Sequence, residues 1–143
     1  MLRRLSTILF SCLFVCVTSL AAANPFEHGW SLDGEASSIT FLSVKKDKIA
    51  ELSEFASISG QITESGIAQL VVALDSVDTK IDLRNVRMRF LFFETFNFPE
   101  ATVTAVLDPS AIQDLPQLRR KTMSVPVTLD LHGATVELAP RLA

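Results

Sequence analysis

The chain is poor in the residues that most chemistry requires. Its 143 residues include two cysteines, two histidines and five glycines, and 13 basic side chains are outnumbered by 16 acidic ones. A zinc site of the usual kind needs three or four His, Cys or carboxylate ligands, and His28 and His132 are the whole histidine complement. No glycine-rich loop of the phosphate-cradling kind occurs. A formal net charge of −3 leaves nothing to neutralise a phosphate backbone, which excludes a nucleic-acid binder.

Long apolar runs are scarce too, with one exception at the front. Arg3 and Arg4 precede an apolar stretch from Leu5 to Leu20, and Ala21-Ala22-Ala23 follows. A basic start, a short apolar centre and a small-residue end are the three parts of a secretory signal peptide. The stretch of 16 residues is shorter than the roughly 20 that a membrane-spanning helix requires. The expectation is a leader over residues 1–23 and one domain over residues 24–143, periplasmic or secreted. No transmembrane helix is expected once the leader is removed. Cys12 and Cys16 both fall in the leader. Phe10 and Phe14 stand where a lipid-attachment site wants small residues, so lipoprotein anchoring is not expected.

Losing the leader removes two Arg and no acid, which shifts the charge from −3 to −5. The remaining 120 residues hold no cysteine. An exported domain without disulfides must be held by its core alone. A chain of this size manages that by burying about 65% of its unfolded surface.

That body reads mostly as strands of period two. Val125, Val127, Leu129 and Leu131 share one face against Ser124, Thr128, Asp130 and His132. Val103, Ala105 and Leu107 alternate with Thr102, Thr104 and Asp108, and Leu70, Val72 and Leu74 with Gln69, Val71, Ala73 and Asp75. Residues 38–45 alternate more weakly, with Ile39 and Phe41 on one side. Asp33-Gly34, Glu64-Ser65-Gly66, Asp108-Pro109-Ser110 and His132-Gly133 supply turns between them. Short, evenly spaced strands with one apolar face indicate an all-β antiparallel sandwich or barrel. Pro126 cannot donate to a ladder, which predicts an edge strand or a bulge there. One segment departs from the pattern. From Asp82, placed as an N-cap, Leu83, Val86, Phe90 and Phe93 recur at helical spacing with Arg84 and Arg87 opposite. This predicts one short amphipathic helix, ending in a phenylalanine cluster closed by Pro99.

Little in this set resembles a catalytic constellation. Asp130 and His132 are two apart on one strand face, but a solvated face ending at a turn accounts for both. A hydrolase using this pair is the least favoured reading. Asp78-Thr79-Lys80 has a lysine where an aspartic-protease loop needs glycine, and one such loop makes no carboxylate dyad. Ser59-Gly60 and Ser65-Gly66 lack the surroundings of a nucleophile elbow. The basic clusters Arg84, Arg87, Arg89 and Arg119-Arg120-Lys121 read as solvated faces or ion-pair partners. The apolar faces are more informative, although an ordinary packed core also explains them. Aliphatic strands combined with a separate aromatic segment suit a barrel that takes a long hydrocarbon under a phenylalanine lid. Burying a methylene yields about 0.8 kcal/mol, so ten yield about 8, which matches a micromolar dissociation constant before binding costs.

Several motifs, taken in order, resemble the YceI-like domains. Trp30-Ser31-Leu32-Asp33 and residues 37–41 (SSITF) are similar to that family's opening. Residues 74–79 (LDSVDT) and 83–89 (LRNVRMR) resemble its central signature. Phe92-Phe93-Glu94, Phe98-Pro99 and residues 101–104 (ATVT) resemble its aromatic and strand elements, and residues 129–135 (LDLHGAT) its late strand and turn. The resemblance implies a lipocalin-like antiparallel β-barrel with a lidding helix. It also implies an exported, non-catalytic protein that holds a polyisoprenoid, isoprenoid quinone or fatty amide. Asn85 stands where the family usually has an acid after the arginine, which predicts the loss of an ion pair. Family members continue into closing strands after the His-Gly turn, whereas six or seven strands are counted here. The barrel is expected to be incomplete: open, completed by a second subunit, or truncated.

On this reading the lining comprises Phe41, Leu70, Val72, Leu74, Val103, Leu107, Val127 and Leu129, with Phe92, Phe93 and Phe96 near the mouth or lid. The expected partner is an apolar lipid, with no other cofactor, no metal and no catalytic residue. The alternative is an envelope protein-interaction module without lipid binding, the front part of a longer cell-envelope protein. It would pair with an envelope partner or a second copy through an open edge near Pro126.

Overall fold

The computed structural model describes residues 24–45 and 49–142, and the expected leader lies outside them. Eleven strands follow one another: β1 (Trp30–Ser31), β2 (Ile39–Lys45), β3 (Ile49–Phe55), β4 (Ile58–Ile62), β5 (Ile67–Ala73), β6 (Val77–Asp78), β7 (Glu100–Val106), β8 (Met123–Ser124), β9 (Val127–Leu131), β10 (Ala134–Leu138) and β11 (Arg141–Leu142). They form a six-stranded sheet in the order β1-β4-β5-β7-β9-β10, a three-stranded sheet β2-β3-β6 and the pair β11-β8. Every pairing is antiparallel. Among the described residues β2 pairs only with β3 and β10 only with β9, so the sheets do not close.

Register carries the sequence alternation across the large sheet. Val72 lies opposite Ile58 on β4 and Ala101 on β7, and Leu70 lies opposite Gly60 and Val103. Val103 in turn faces Leu129, and Ala105 faces Val127. Because side chains alternate along a strand, these residues share one apolar face, called the inner face below. Gln69, Thr102, Thr104, Thr128 and Asp130 occupy the other. The best-buried cluster is Val72, Leu74, Val77, Phe93 and Ala101, with Ile39, Phe41, Phe55, Ile58, Met88 and Leu131 packed against it.

Some elements end earlier than their periodicity suggests. The alternation from Ile67 to Ser76 breaks after Ala73, where residues 74–76 form a 3-10 turn. There the Ser76 hydroxyl donates to the Ala73 carbonyl and accepts from the Ser57 amide. Local side-chain bonds of this kind replace ladder bonds. Pro126 lies between β8 and β9 instead of within a strand. The strand it precedes is interior, paired with both β7 and β10, so the expected edge or bulge is replaced by a strand that begins one residue after the proline.

The helix is α1 (Asp82–Arg87), continued by a π turn over Met88–Phe92. A second, four-residue helix, α2, spans Leu115–Leu118. Asp82 is the first helical residue, not the N-cap; Ile81 holds that position with no side-chain bond. An acid in the first turn still favours the helix dipole. The apolar stripe does not face the core. Leu83 is 61% exposed, and no residue of α1 is buried. The π turn, in which the Phe93 amide donates to the Met88 carbonyl, inserts one extra residue and moves Phe93 out of line with Leu83. Met88 and Phe93 turn inward as a result, while Leu83, Val86 and Phe90 face outward.

Candidate functional site

Two adjoining cavities lie on the inner face. The first, about 360 Å³, is lined by Ile39, Phe41, Phe55, Val72, Leu74, Met88, Phe92, Phe93, Ala101 and Leu131, none of them charged or polar. The second, about 420 Å³, takes in Leu32, Gly60, Ala68, Leu70, Val103, Ala105, Leu107 and Val127. Val72 and Leu70 are alternate residues of β5, and Ala101 and Val103 are alternate residues of β7. One continuous apolar face therefore runs from the first cavity to the second. From Ala68 to Leu74 its length is about 20 Å at about 3.3 Å per residue. Gly60, which lines the second cavity, lies close against β5. A Cβ there would stand 2.9 Å from the Gln69 carbonyl oxygen and 3.5 Å from the Leu32 Cβ.

The expected lining residues fall mostly on this face. Phe41, Val72, Leu74, Phe92 and Phe93 border the first cavity, and Leu70, Val103, Leu107 and Val127 the second. Leu129 is on the same face, between Val103 and Val136 in register. Phe96 is elsewhere. It stacks on Phe90 with ring centroids 5.3 Å apart, in a different cleft with Asp75, Arg89 and Glu100. Ala101, Leu131 and Ile39 were legible as continuations of alternations already traced. Phe55 and Met88 were not. Phe55 reaches the cavity through the pairing of β2 with β3 and stacks between Phe41 and Phe93, with centroids at 5.5 and 5.8 Å.

Polar groups gather at the lid. Arg84 Nη1 donates to Glu51 Oε2 at 2.7 Å, and Nη2 to Oε1 at 3.4 Å, joining α1 to β3. Lys80 donates to both Asp78 and Glu54. The Asn85 side chain accepts from the Thr79 amide at 2.8 Å and hydroxyl at 2.7 Å, and donates to Asp78 at 3.3 Å. The residue expected to forfeit an ion pair therefore ties the helix to β6 by hydrogen bonds. Chiefly through the Lys80 hydrogen bonds, and then that of Asn85, the Asp78 carboxyl is held down at about 2. Lys80 is raised by Asp78 and Glu54.

Asp130 and His132 have separate partners. Asp130 accepts from the Thr135 hydroxyl. The His132 ring lies against Phe98, with centroids 4.4 Å apart, and its Nε2 is 4.0 Å from Glu94 Oε2. Among the described residues no group of three or more His, Cys, Asp or Glu side chains is placed to hold a metal ion, and no helix is long and apolar enough to cross a membrane. The site offers shape and apolar surface. It can desolvate a hydrocarbon, and Ser31, Gln61 and Gln69 add polar groups at the second cavity.

Comparisons with known proteins agree with this geometry. The YceI-like domain family matches residues 30–141. No curated protein matches the sequence. A solved polyisoprenoid binding domain from Saccharophagus degradans, implicated in plant cell wall breakdown, is 41% identical, with a TM-score of 0.71 over 78% of this chain and 64% of that one. Burkholderia cenocepacia BcnA shares the fold at 17% identity, with a TM-score of 0.61 over 76% of this chain and 68% of BcnA. The chain thus spans less than two thirds of the length of the Saccharophagus domain.

Proposed function

Because the chain belongs to the YceI-like family, we propose that it is an exported, non-catalytic carrier of one long apolar lipid, a polyisoprenoid, isoprenoid quinone or fatty amide. The observation that carries this reading is the pair of adjoining cavities on one uncharged face, lined by alternate residues of β5 and β7. Each methylene buried there contributes about 0.8 kcal/mol, which is enough for retention without any directed polar contact. The 41% identity to a polyisoprenoid binding domain supports the choice of ligand class. The basic, apolar and small-residue parts of residues 1–23 support a periplasmic or secreted location. The test is organic extraction of the purified protein followed by mass spectrometry. A stoichiometric isoprenoid or fatty amide is expected. A ligand-free extract from a folded sample that also rejects added isoprenoids overturns the reading.

A second reading has one observation of its own. All of β10 (Ala134–Leu138) is exposed, and among the described residues its outer edge has no strand partner. Such an edge is a template for another chain. A protein-interaction module without lipid would show a bound partner and an empty extract.

A further inference from the structure

Resting on the carrier reading for its hydrocarbon, we propose that the ligand ends in an anionic head group, a carboxylate or a phosphate monoester. Arg119 and Arg120 hold it at the end of the inner face away from the lid. A third cavity, of about 440 Å³, lies there, floored by Phe26, Ile112, Leu115, Met123 and Val125. It shares Trp30, Ile62 and Leu107 with the second cavity and no residue with the first, which the lid borders. Ile62 lies opposite Ala68 in register, and Leu107 is two residues beyond Ala105, so both prolong the inner face. The three cavities follow one another along a single apolar path.

Charge selects the head group. No charged side chain lines the first two cavities, whereas Arg119, Arg120 and Lys121 line the third and no acid does. Lys121 is neutralised by Asp114, with Nζ 2.9 and 3.1 Å from the two carboxylate oxygens. Arg119 and Arg120 have no ion-pair partner among the described residues. Three cations against one acid leave this end positive on a chain whose formal charge is −3. The same contacts fix the segment. The Arg119 amide closes α2 on the Leu115 carbonyl at 2.7 Å, and the Lys121–Asp114 bridge ties the chain back to the residue before the helix.

A guanidinium takes a carboxylate or a phosphate through paired N–H donors. Both arginines are exposed, which suits a charged group that stays hydrated while its chain is desolvated on the inner face. A neutral quinone or amide head would leave both cations unused. Hydrocarbon burial supplies retention, and the arginines supply the choice of head group.

Trp30, the single tryptophan, borders the second and third cavities, so its emission reports their filling. The full chain is purified as the host processes it, stripped of carried lipid on a hydrophobic resin, and titrated with two matched pairs. One pair is palmitate and palmitamide, the other geranylgeranyl phosphate and geranylgeraniol. Wild type is expected to bind the charged member of at least one pair about tenfold more tightly. A preference in the first pair alone assigns a carboxylate, and one in the second alone a phosphate. Arg119→Gln with Arg120→Gln is expected to erase the preference, and Arg119→Lys with Arg120→Lys to keep most of it. Both should unfold at the wild-type midpoint, because both side chains are exposed. Arg120→Gln alone, which spares the end of α2, should lower the preference about threefold. Equal affinity within both pairs overturns the inference and leaves the carrier reading intact, as does a preference that survives in the double glutamine variant. Binding of none of the four ligands removes the carrier reading and the head-group site with it.

Discussion

Arg84 on the lid helix and Glu51 on β3 form a two-pronged ion pair, with contacts of 2.7 and 3.4 Å. Glu51 sits opposite Ser43 on the face that also carries Phe41, so the bond ties the lid to the β2–β3 hairpin. Both side chains are about one third exposed, and such pairs contribute no more than about 1 kcal/mol. Arg84→Gln is therefore expected to cost little in urea unfolding while releasing bound lipid several times faster. Release as slow as in wild type, followed by transfer to acceptor vesicles, would show that the pair does not hold the lid.

Val72 is 6% exposed at the centre of the buried cluster and borders the first cavity. Val72→Asp puts a carboxylate against hydrocarbon, at a cost of about 3 kcal/mol or more, and severely reduces folding or lipid content. Leu70→Ser is the companion variant, since Leu70 is only half-buried and lines the second cavity. It is expected to fold while retaining less lipid on extraction. Wild-type retention in both would mean the inner face is not where the ligand lies.

The turn between β9 and β10 is a two-residue His132-Gly133 loop with φ of 53° and 73°. Positive φ at both central residues matches the twist of a tight hairpin. A Cβ at Gly133 would also stand 3.0 Å from the Phe98 ring. Gly133→Ala is expected to cost about 1–2 kcal/mol in thermal or urea unfolding. Gly34→Ala, where the nearest atom to an added Cβ is 3.5 Å away, should stay within about 0.5 kcal/mol.

Acid should weaken the lid anchor in a defined window. The Asp78 carboxyl is lowered from the ordinary 3.8 to about 2, mainly by hydrogen bonds from Lys80 and then from Asn85. A depressed folded-state value means that the stabilisation is fully present above the unfolded value and is lost as pH falls through the folded one. Asp108, lowered by hydrogen bonds from Ser110, and Asp114, lowered by Lys121, act in the same direction. The midpoint of thermal unfolding should therefore fall between about pH 4 and about pH 2. Over that window the gap between wild type and Asp78→Asn should narrow. A gap that stays constant would show that the Asp78 charge does not contribute.

Asn85 offers both an acceptor to Thr79 and a donor to Asp78. Asn85→Asp keeps the acceptor, loses the donor and sets a second carboxylate beside Asp78. The variant is expected to be less stable than wild type near neutral pH and to recover part of the difference on acidification, as read from unfolding midpoints across pH. A deficit independent of pH would point to packing instead of charge.

The alternation of Leu70 with Gln69, and of Val103 with Thr102, was enough to assign both the strands and their inner face, because strand geometry fixes the period locally. The His132-Gly133 turn and the position of the helix were legible for the same reason. Phe96 was grouped with Phe92 and Phe93 on composition, yet it stacks on Phe90 outside the cavity. Three phenylalanines within five residues carry no periodic signal that tells inward from outward.

By itself the sequence determined the strand faces and the turns, since each depends on neighbours along the chain. The tertiary structure alone decided which side of the lid faces the cavity. A single π turn at Met88–Phe92 swings Phe93 inward and leaves Leu83 and Val86 outside, and no spacing rule anticipates an inserted residue. It also decided that Phe41, Phe55 and Phe93 meet, because ring contacts between distant residues depend on how β2, β3 and the lid pack. Local periodicity gives each strand its face, whereas a cavity exists only once separate faces are brought together.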